Sequence, residues 1–507
     1  MNPSIIVPNM DGVANLLAVL PELCLTALAV AIVLLDVIWH ESRRRQLGYV
    51  AAFGLFAIAA LTLLLTPSTT DSQFVFGGMI RDDLLSQLFR VIVIVGAAIA
   101  CLISMDFQGI GRRGEFYAVL IIASVGGCFM SSAADLIMVF IALETTSISL
   151  YILAGMLRNN ARASEAGMKY FLFGAFTSAI MLYGLSLLYG FTHQTNLYAI
   201  GAVLRTLFPA GQPINAGSAL PVLMALVMIA VGFGFKISAV PFHFWTPDVY
   251  EGAPTPVTAF ISVASKAASF ALLTRFFVIA FQGDPTTHFW VQMLSVLAVV
   301  TMTTGNMLAL VQRNIKRLLA YSSIAQAGYT LIGVVAIASQ PGSVPGSGVA
   351  AVGFYMAMYT LTNLAAFAVI IVFTNATGSE TIADFAGLSR RSPGLALALT
   401  VALLSLSGIP PAAGFIGKFF LFRAAVDSSL TWLAMVGVLN SIVALYYYLV
   451  IIKIMWVNRS DDENRTIAVS SPYRWAIGLS VFGVVALGVV AGPLFDWAAR
   501  AAQGLFS

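Results

Sequence analysis

The sequence predicts an all-α polytopic membrane protein of about fourteen transmembrane helices, and three observations predict it. Charged residues make up 9% of the 507-residue chain and hydrophobic residues 59%, against roughly 25% charged in an average soluble domain. A soluble fold with so few polar groups could not cover its own surface. The apolar residues also form continuous runs, near the roughly 20 residues that a helix needs to cross the hydrocarbon core. Finally, a backbone in lipid must satisfy its own hydrogen bonds, and runs without strand alternation can do so only as helices.

In order, the spans fall near 15–38, 47–65, 83–104, 116–131, 134–157, 165–190, 220–245, 257–281, 289–311, 315–338, 348–374, 395–427, 430–457 and 475–497. The first is expected to be retained, since no basic stretch or small-residue cleavage site precedes it. The fourth and fifth are parted by little more than Ser132 and Ala133. Loops after spans 1, 3, 5, 9, 11 and 13 carry Arg43–Arg44–Arg45, Arg112–Arg113, Arg158 with Arg162, Arg313–Lys316–Arg317, Arg390–Arg391, and Arg459 with Arg465. The opposite loops carry little beyond Arg81 and Arg205, and the stretch 246–255 after span 7 has no basic residue. Positive loops stay inside, so both termini are expected on the outer side of a cell membrane.

Two spans are the wrong shape for plain anchors. Span 7 runs through GFGFKISAVPFHFW, where Pro241 removes the hydrogen bond to Ile237 and crowds its carbonyl. Span 12, through LSLSGIPPAAGFIGKFF, would be about 48 Å long if straight, against a core of roughly 30 Å. Helices broken at membrane depth line enclosed or wet cavities and point to binding or transport sites. The breaks fall on the fourth member of each of two five-span units, 116–282 and 283–458. An odd number of spans inverts the second unit relative to the first. A three-helix segment (1–115) precedes them, and a loop with the last span (459–507) follows.

Other functional classes are excluded by composition. A net charge of +4, with the basic residues mostly in short loops, leaves no face for nucleic acid. Cys24, Cys101 and Cys128 stand singly, which argues against disulfide, zinc and iron–sulfur sites. Gly109, Gly111 and Gly114 have dinucleotide-motif spacing but follow no strand.

The candidate functional residues are the charges inside the spans. Lys236, Lys266 and Lys418 lie within spans 7, 8 and 12, and Glu144 near the middle of span 5. Each costs about 2.5–3.5 kcal/mol at that depth, on the order of 10 kcal/mol together if unpaired. An ammonium taken out of water tends to give up its proton, and a nearby carboxylate makes it keep it. A Glu144–Lys236 pair that opens and closes would pass a proton to Lys266 and then Lys418. Glu144, Ser147 and Tyr151 share one stripe, and Ser262, Lys266 and Ser269 another. The alternative is a set of ion pairs stapling helices, but one carboxylate cannot neutralise three ammonium groups. Lesser candidates are the i,i+4 pair Glu165–Lys169, equally readable as a helix-end salt bridge, and His243, equally readable as a core histidine. Asp248 and Glu251 are read as turn-forming acids before a proton antenna.

The stretch FKISAVPFHFWTPDVYEGAPTPVTAFISVASKAASF resembles the central signature of the antiporter-like membrane subunits of NADH–quinone oxidoreductase, respiratory complex I. Its PDVYEGAPTPV form resembles the subunit N branch, whereas the L and M branches and the cation/proton antiporter subunits usually read PDAH. ALETTSISLYIL, EAGMKYFLFGAFTSAIMLYGLSLLYG, NIKRLLAYSSIAQAGY and GIPPAAGFIGKF extend the likeness over about 115–460. The resemblance implies a fourteen-helix proton-translocating subunit with a Glu144, Lys236, Lys266 and Lys418 relay, in which Glu165 and Lys169 also occupy family positions. It implies NADH, FMN, iron–sulfur clusters and quinone on other subunits and none in this chain. Its partners would be antiporter-like subunit M, the small membrane subunits and the bilayer. SAADLIMVFIALE and KISAVPFH are also similar to the photosynthetic ferredoxin–plastoquinone version, which leaves donor and quinone open. A multisubunit sodium/proton antiporter, which the PDVY form argues against, and a non-transporting scaffold are the alternatives.

Overall fold

Runs of apolar, helix-compatible residues fold as the composition demands. The structure is a computed structural model describing residues 12–65, 73–209, 216–281, 284–336, 346–460 and 465–506. Thirteen helices in it are long and apolar enough to cross a membrane: Leu20–Ile38, Gln46–Leu64, Leu84–Ser104, Gly114–Ser132, Leu136–Ala154, Ala161–Thr192, Ala219–Ile237, Thr255–Ala280, Thr286–Ala309, Ile315–Val335, Ser347–Thr377, Thr431–Trp456 and Ser471–Val489. The remaining span is divided into Pro393–Ser407 and Ala413–Asp427, 15 residues each. Either half alone is about 22 Å, too short for the core, so the two together make span 12 and the count fourteen. This is a multi-pass membrane protein.

Spans 8 and 10 lie at the centre of the bundle, while only 28% of spans 1 and 14 is buried. The inner helices are rich in Ala, Ser and Gly, as in IKRLLAYSSIAQAGYTLIGVV of span 10. Without a hydrophobic drive between helices in lipid, such small side chains let backbones pack closely at the centre.

Both interruptions have local causes. Span 7 ends at Ile237, and Ser238 takes a left-handed φ of 65°. There the Ser238 and Ala239 amides close the helix on the Phe235 and Gly234 carbonyls, at 3.1 and 2.7 Å. Pro241 could not have continued the helix, having no N–H and a ring that clashes four residues back. The sequence predicts this helix to 245 and a loop over 246–255. Instead Trp245–Gly252 is a short helix of its own, the linker helix below. Span 12 breaks at Gly408, at φ 86°, where the Gly408 and Ile409 amides cap the Leu404 carbonyl. Span 8 contains a feature absent from the sequence reading, a π-helical turn over Ile261–Ser265 immediately before Lys266. Such turns recur at functional sites because they re-aim one side chain.

One end of the bundle is closed by a short hairpin, Gln73–Val75 with Ile80–Asp82, the helix Leu197–Leu207 and a set of buried ions. Arg275 of span 8 meets both Asp83 carboxylate oxygens at 2.7 Å. Arg90 of span 3 meets Glu22 of span 1 and Asp82, each at 2.7 Å. Arg81 lies 3.6 Å from Asp83 and donates to the Gly504 carbonyl at 2.9 Å. These charges link spans 1, 3 and 8 with the hairpin and the C-terminal helix Gly492–Phe506.

Candidate functional site

On span 5, Ser147 and Tyr151 stand three and seven residues beyond Glu144, on one helix face. The last turn of span 7 brings Lys236 against that face. Its ammonium donates to Ser147 Oγ and, at 3.4 Å, to Tyr151 Oη. The nitrogen also lies 5.4 Å from the Tyr151 ring centroid and 5.1 Å from that of Phe235, within cation–π range. Span 6 makes room for the tyrosine with Gly174, where a Cβ would collide with the Tyr151 hydroxyl. Glu144 is engaged elsewhere, accepting from Ser178 Oγ at 2.6 Å. The expected Glu144–Lys236 ion pair is therefore not made here; Ser147 occupies the lysine instead.

Lys266 follows the π-helical turn and reaches span 10. It donates to the Ser323 carbonyl oxygen at 2.8 Å and to Ser323 Oγ at 2.6 Å. The expected stripe partners do not meet it. Ser262 bonds the Ala259 carbonyl and Ser269 that of Ser265, both at 2.7 Å. Hydroxyls in an apolar helix turn back on their own carbonyls in this way, and a lysine stem is long enough to look across the interface.

Lys418, on the second half of span 12, donates to the Ser407 carbonyl at the end of the first half, at 3.1 Å. A helix C-terminus leaves unpaired carbonyls and a partial negative charge, a natural seat for an ammonium. The nitrogen sits 4.6 Å from the Tyr329 ring centroid. Gly408 leaves space alongside: a Cβ there would stand 3.0 Å from Lys418 Cδ. The three lysines are 2–6% exposed. Among the described residues none has a carboxylate within 4 Å.

Between Lys266 and Lys418 runs a hydroxyl-rich face of span 10. Ser322 Oγ is 2.5 Å from Tyr448 Oη. Gln326 donates to the Leu406 carbonyl at 3.0 Å and accepts from Tyr355. Tyr329 Oη accepts from Asn306 at 3.0 Å. The spacing 322, 326, 329 of polar side chains in an apolar helix is the sequence signal for this face.

The remaining candidates lie apart from these lysines. Lys169 pairs with Glu165 at 2.8 Å, as its spacing allows, and with Asp248 at 2.7 Å. Arg317 of span 10 meets Asp248 at 2.9 Å and Glu251 at 3.0 Å. Asp248 and Glu251 are thus helix residues held by cations rather than turn formers. Partial burial pushes the Asp248 carboxyl up, but Lys169 and Arg317 outweigh this and hold it below the usual carboxylate range. His243 is buried; its Nδ1 has no hydrogen-bond partner among the described residues. A cavity of ≈ 1110 Å³ opens beside Arg113, Arg158 and Asn160 and reaches Tyr151, the Lys236 partner. No group of three or more His, Cys, Asp or Glu that could hold a metal occurs among the described residues.

The family model described as NADH:quinone oxidoreductase/Mrp antiporter, TM, matches residues 133–444. That range holds all four relay candidates. NADH-quinone oxidoreductase subunit N of Moorella thermoacetica is 40% identical, over 97% of this chain and 99% of its own length. NAD(P)H-quinone oxidoreductase subunit 2 of Trichormus variabilis is also 40% identical, over 97% and 93%. A chain in the solved structure of respiratory complex I from Thermus thermophilus with bound Aureothin superposes with a TM-score of 0.76 at 32% identity, covering 94% of this chain and 99% of that one. With likeness at this level along nearly its whole length, the chain belongs to the antiporter-like membrane subunits of NADH–quinone oxidoreductase, on the subunit N branch.

Proposed function

We propose that this membrane-arm subunit moves protons through Glu144, Lys236, Lys266 and Lys418, driven by electron transfer from NADH to quinone on other subunits. The observation that carries the reading is the setting of the three lysines. Each is buried and held by hydroxyl or carbonyl oxygens, with no carboxylate within 4 Å among the described residues. A buried ammonium without a contacting counter-ion is costly, and proton loss relieves that cost. The hydroxyls of span 10 offer donors and acceptors between the Lys266 and Lys418 sites, and the cavity at Tyr151 offers a wet approach to Lys236.

On this reading 116–282 and 283–458 are inverted five-helix units, the arginine-rich loops face the cytoplasm and both termini lie outside. FMN, iron–sulfur clusters and quinone belong to other subunits. The neighbours in the membrane arm include antiporter-like subunit M and the small membrane subunits. Glu165, Lys169 and His243 stand beside the route with smaller parts.

The test is Lys236→Met in the assembled complex, reconstituted in sealed vesicles. Protons moved per quinone reduced should fall at least about ten-fold, roughly 1.4 kcal/mol on the barrier. Normal pumping and normal quinone turnover would end the proposal.

A further inference from the structure

Ser323 Oγ is approached by three groups: Lys266 Nζ at 2.6 Å, Tyr359 Oη at 2.8 Å and Tyr250 Oη at 3.1 Å. A hydroxyl has one proton to give and two lone pairs to offer. An ammonium can only donate, so Lys266 takes one lone pair. Tyr359 donates as well and takes the other. The serine proton is left for Tyr250.

We propose that Tyr250 is a positioning residue for Lys266: by accepting a hydrogen bond from the Ser323 hydroxyl, it turns the serine lone pairs onto the lysine ammonium. This rests on the relay reading above and deepens it. When Lys266 gives up its proton, its nitrogen gains a lone pair and needs a donor. The Ser323 hydroxyl then rotates away from Tyr250 and donates to that nitrogen. No covalent bond changes at the serine; a single rotor serves both states of the lysine.

Tyr250 sits on an element braced against the other lysine site. The linker helix Trp245–Gly252 also carries Trp245, whose indole N–H donates to the Phe235 carbonyl, next to Lys236, at 3.1 Å. Trp245 stacks on Tyr170 with centroids 4.3 Å apart, and Tyr170 stands edge-on to Tyr151 at 4.8 Å. Asp248 of the same helix is clamped by Lys169 and Arg317. Eight residues of helix thus connect the aromatic surround of Lys236 with the oxygen that receives Lys266.

Among the described residues, the titratable groups bonded to Ser323 beside Lys266 are Tyr250 from the linker helix and Tyr359 from span 11. Protons moved per electron and the pH profile of coupled quinone turnover are measured on the assembled complex in sealed vesicles. Tyr250→Phe should lower the protons per electron at least about three-fold, the scale of one lost hydrogen bond. It should also move the midpoint of the profile to lower pH by about half a unit, since the ammonium loses support. Ser323→Ala should do the same, and Ser323→Thr, which keeps the hydroxyl, should stay near the parent. If Tyr250→Phe leaves both quantities unchanged while Lys266→Met is defective, the inference is overturned and the relay stands. A normal Lys266→Met complex overturns the relay itself. Should Tyr250→Phe fail to assemble, the serine pair decides: equal behaviour of the alanine and threonine variants overturns the inference.

Discussion

Beside Lys316, which pairs with Glu380 at 2.8 Å, and Arg391, which donates to the Arg465 carbonyl at 3.2 Å, two sets of buried cations occupy this bundle, and they are treated differently. At the closed end, Arg81, Arg90 and Arg275 each lie within 4 Å of a carboxylate, and Glu22, Asp82 and Asp83 supply it. In the interior, Lys236, Lys266 and Lys418 meet hydroxyls, carbonyls and ring faces. The chemistry of the side chains explains the division. A guanidinium is always charged, so fixed acceptors must surround it, and at the closed end these are carboxylates. An ammonium can shed its proton, so a neutral polar pocket is tolerable. The arginine set shows what a permanent ionic rivet looks like in this fold, and the lysine sites lack its defining partner.

The largest expected effect tests the rivets. Arg275→Met would leave Asp83, 3% exposed, without its bidentate partner. Breaking such a pair from one side costs about 3–5 kcal/mol. The variant should fail to accumulate in membranes, or show a steeply lowered thermal midpoint once purified. Wild-type accumulation and midpoint would erase the contrast between the two sets.

A smaller effect is expected on stability, but not on flux, at the lysines. Lys418→Arg keeps a positive charge within reach of the Ser407 carbonyl while removing the ability to release a proton. Proton movement should drop at least about ten-fold with the complex still assembled, roughly 1.4 kcal/mol on the barrier. Were Lys418 a staple, the arginine would serve as well, and proton movement would remain as in the parent.

The same division explains what could be read from the chain alone. A lysine in an apolar run is conspicuous, so Lys236, Lys266 and Lys418 stood out from composition and hydropathy. Pro241 and the Pro410–Pro411 pair announced the interruptions, because proline acts on its own neighbours. Arg275 and Arg90 also sit inside apolar runs but were passed over, since their partners, Asp83, Glu22 and Asp82, lie far off in the sequence or in a hairpin without strong periodicity. Ser323 as the seat of Lys266 was equally hidden. A lysine stem can turn to any adjoining helix, and only the packing of span 8 against span 10 selects one. The linker helix was missed because PDVYEG begins with a proline and carries two acids, a pattern that fits a turn. Its helicity is supported by Lys169 and Arg317, which are remote in sequence.

The smallest effect concerns the cluster at the arginine-loop end, which resembles neither buried set. Lys169 is 37% and Asp248 34% exposed, so solvent and salt weaken their attraction. Asp248→Asn should lower the thermal midpoint only modestly, by the about 0.2–1 kcal/mol typical of exposed pairs, and less at high salt. Its signature is the pH dependence. The Asp248 carboxyl titrates below its unfolded value, because Lys169 and Arg317 outweigh the desolvation that opposes them. Its contribution is therefore present above about pH 4 and lost as the pH falls through the folded value. Midpoints of parent and Asp248→Asn should differ at pH 7 and converge on acidification below that point. A difference that persists unchanged in acid would mean the aspartate acts by shape rather than charge. The linker helix would then be held by its aromatic packing on Tyr170 instead of by the ions around it.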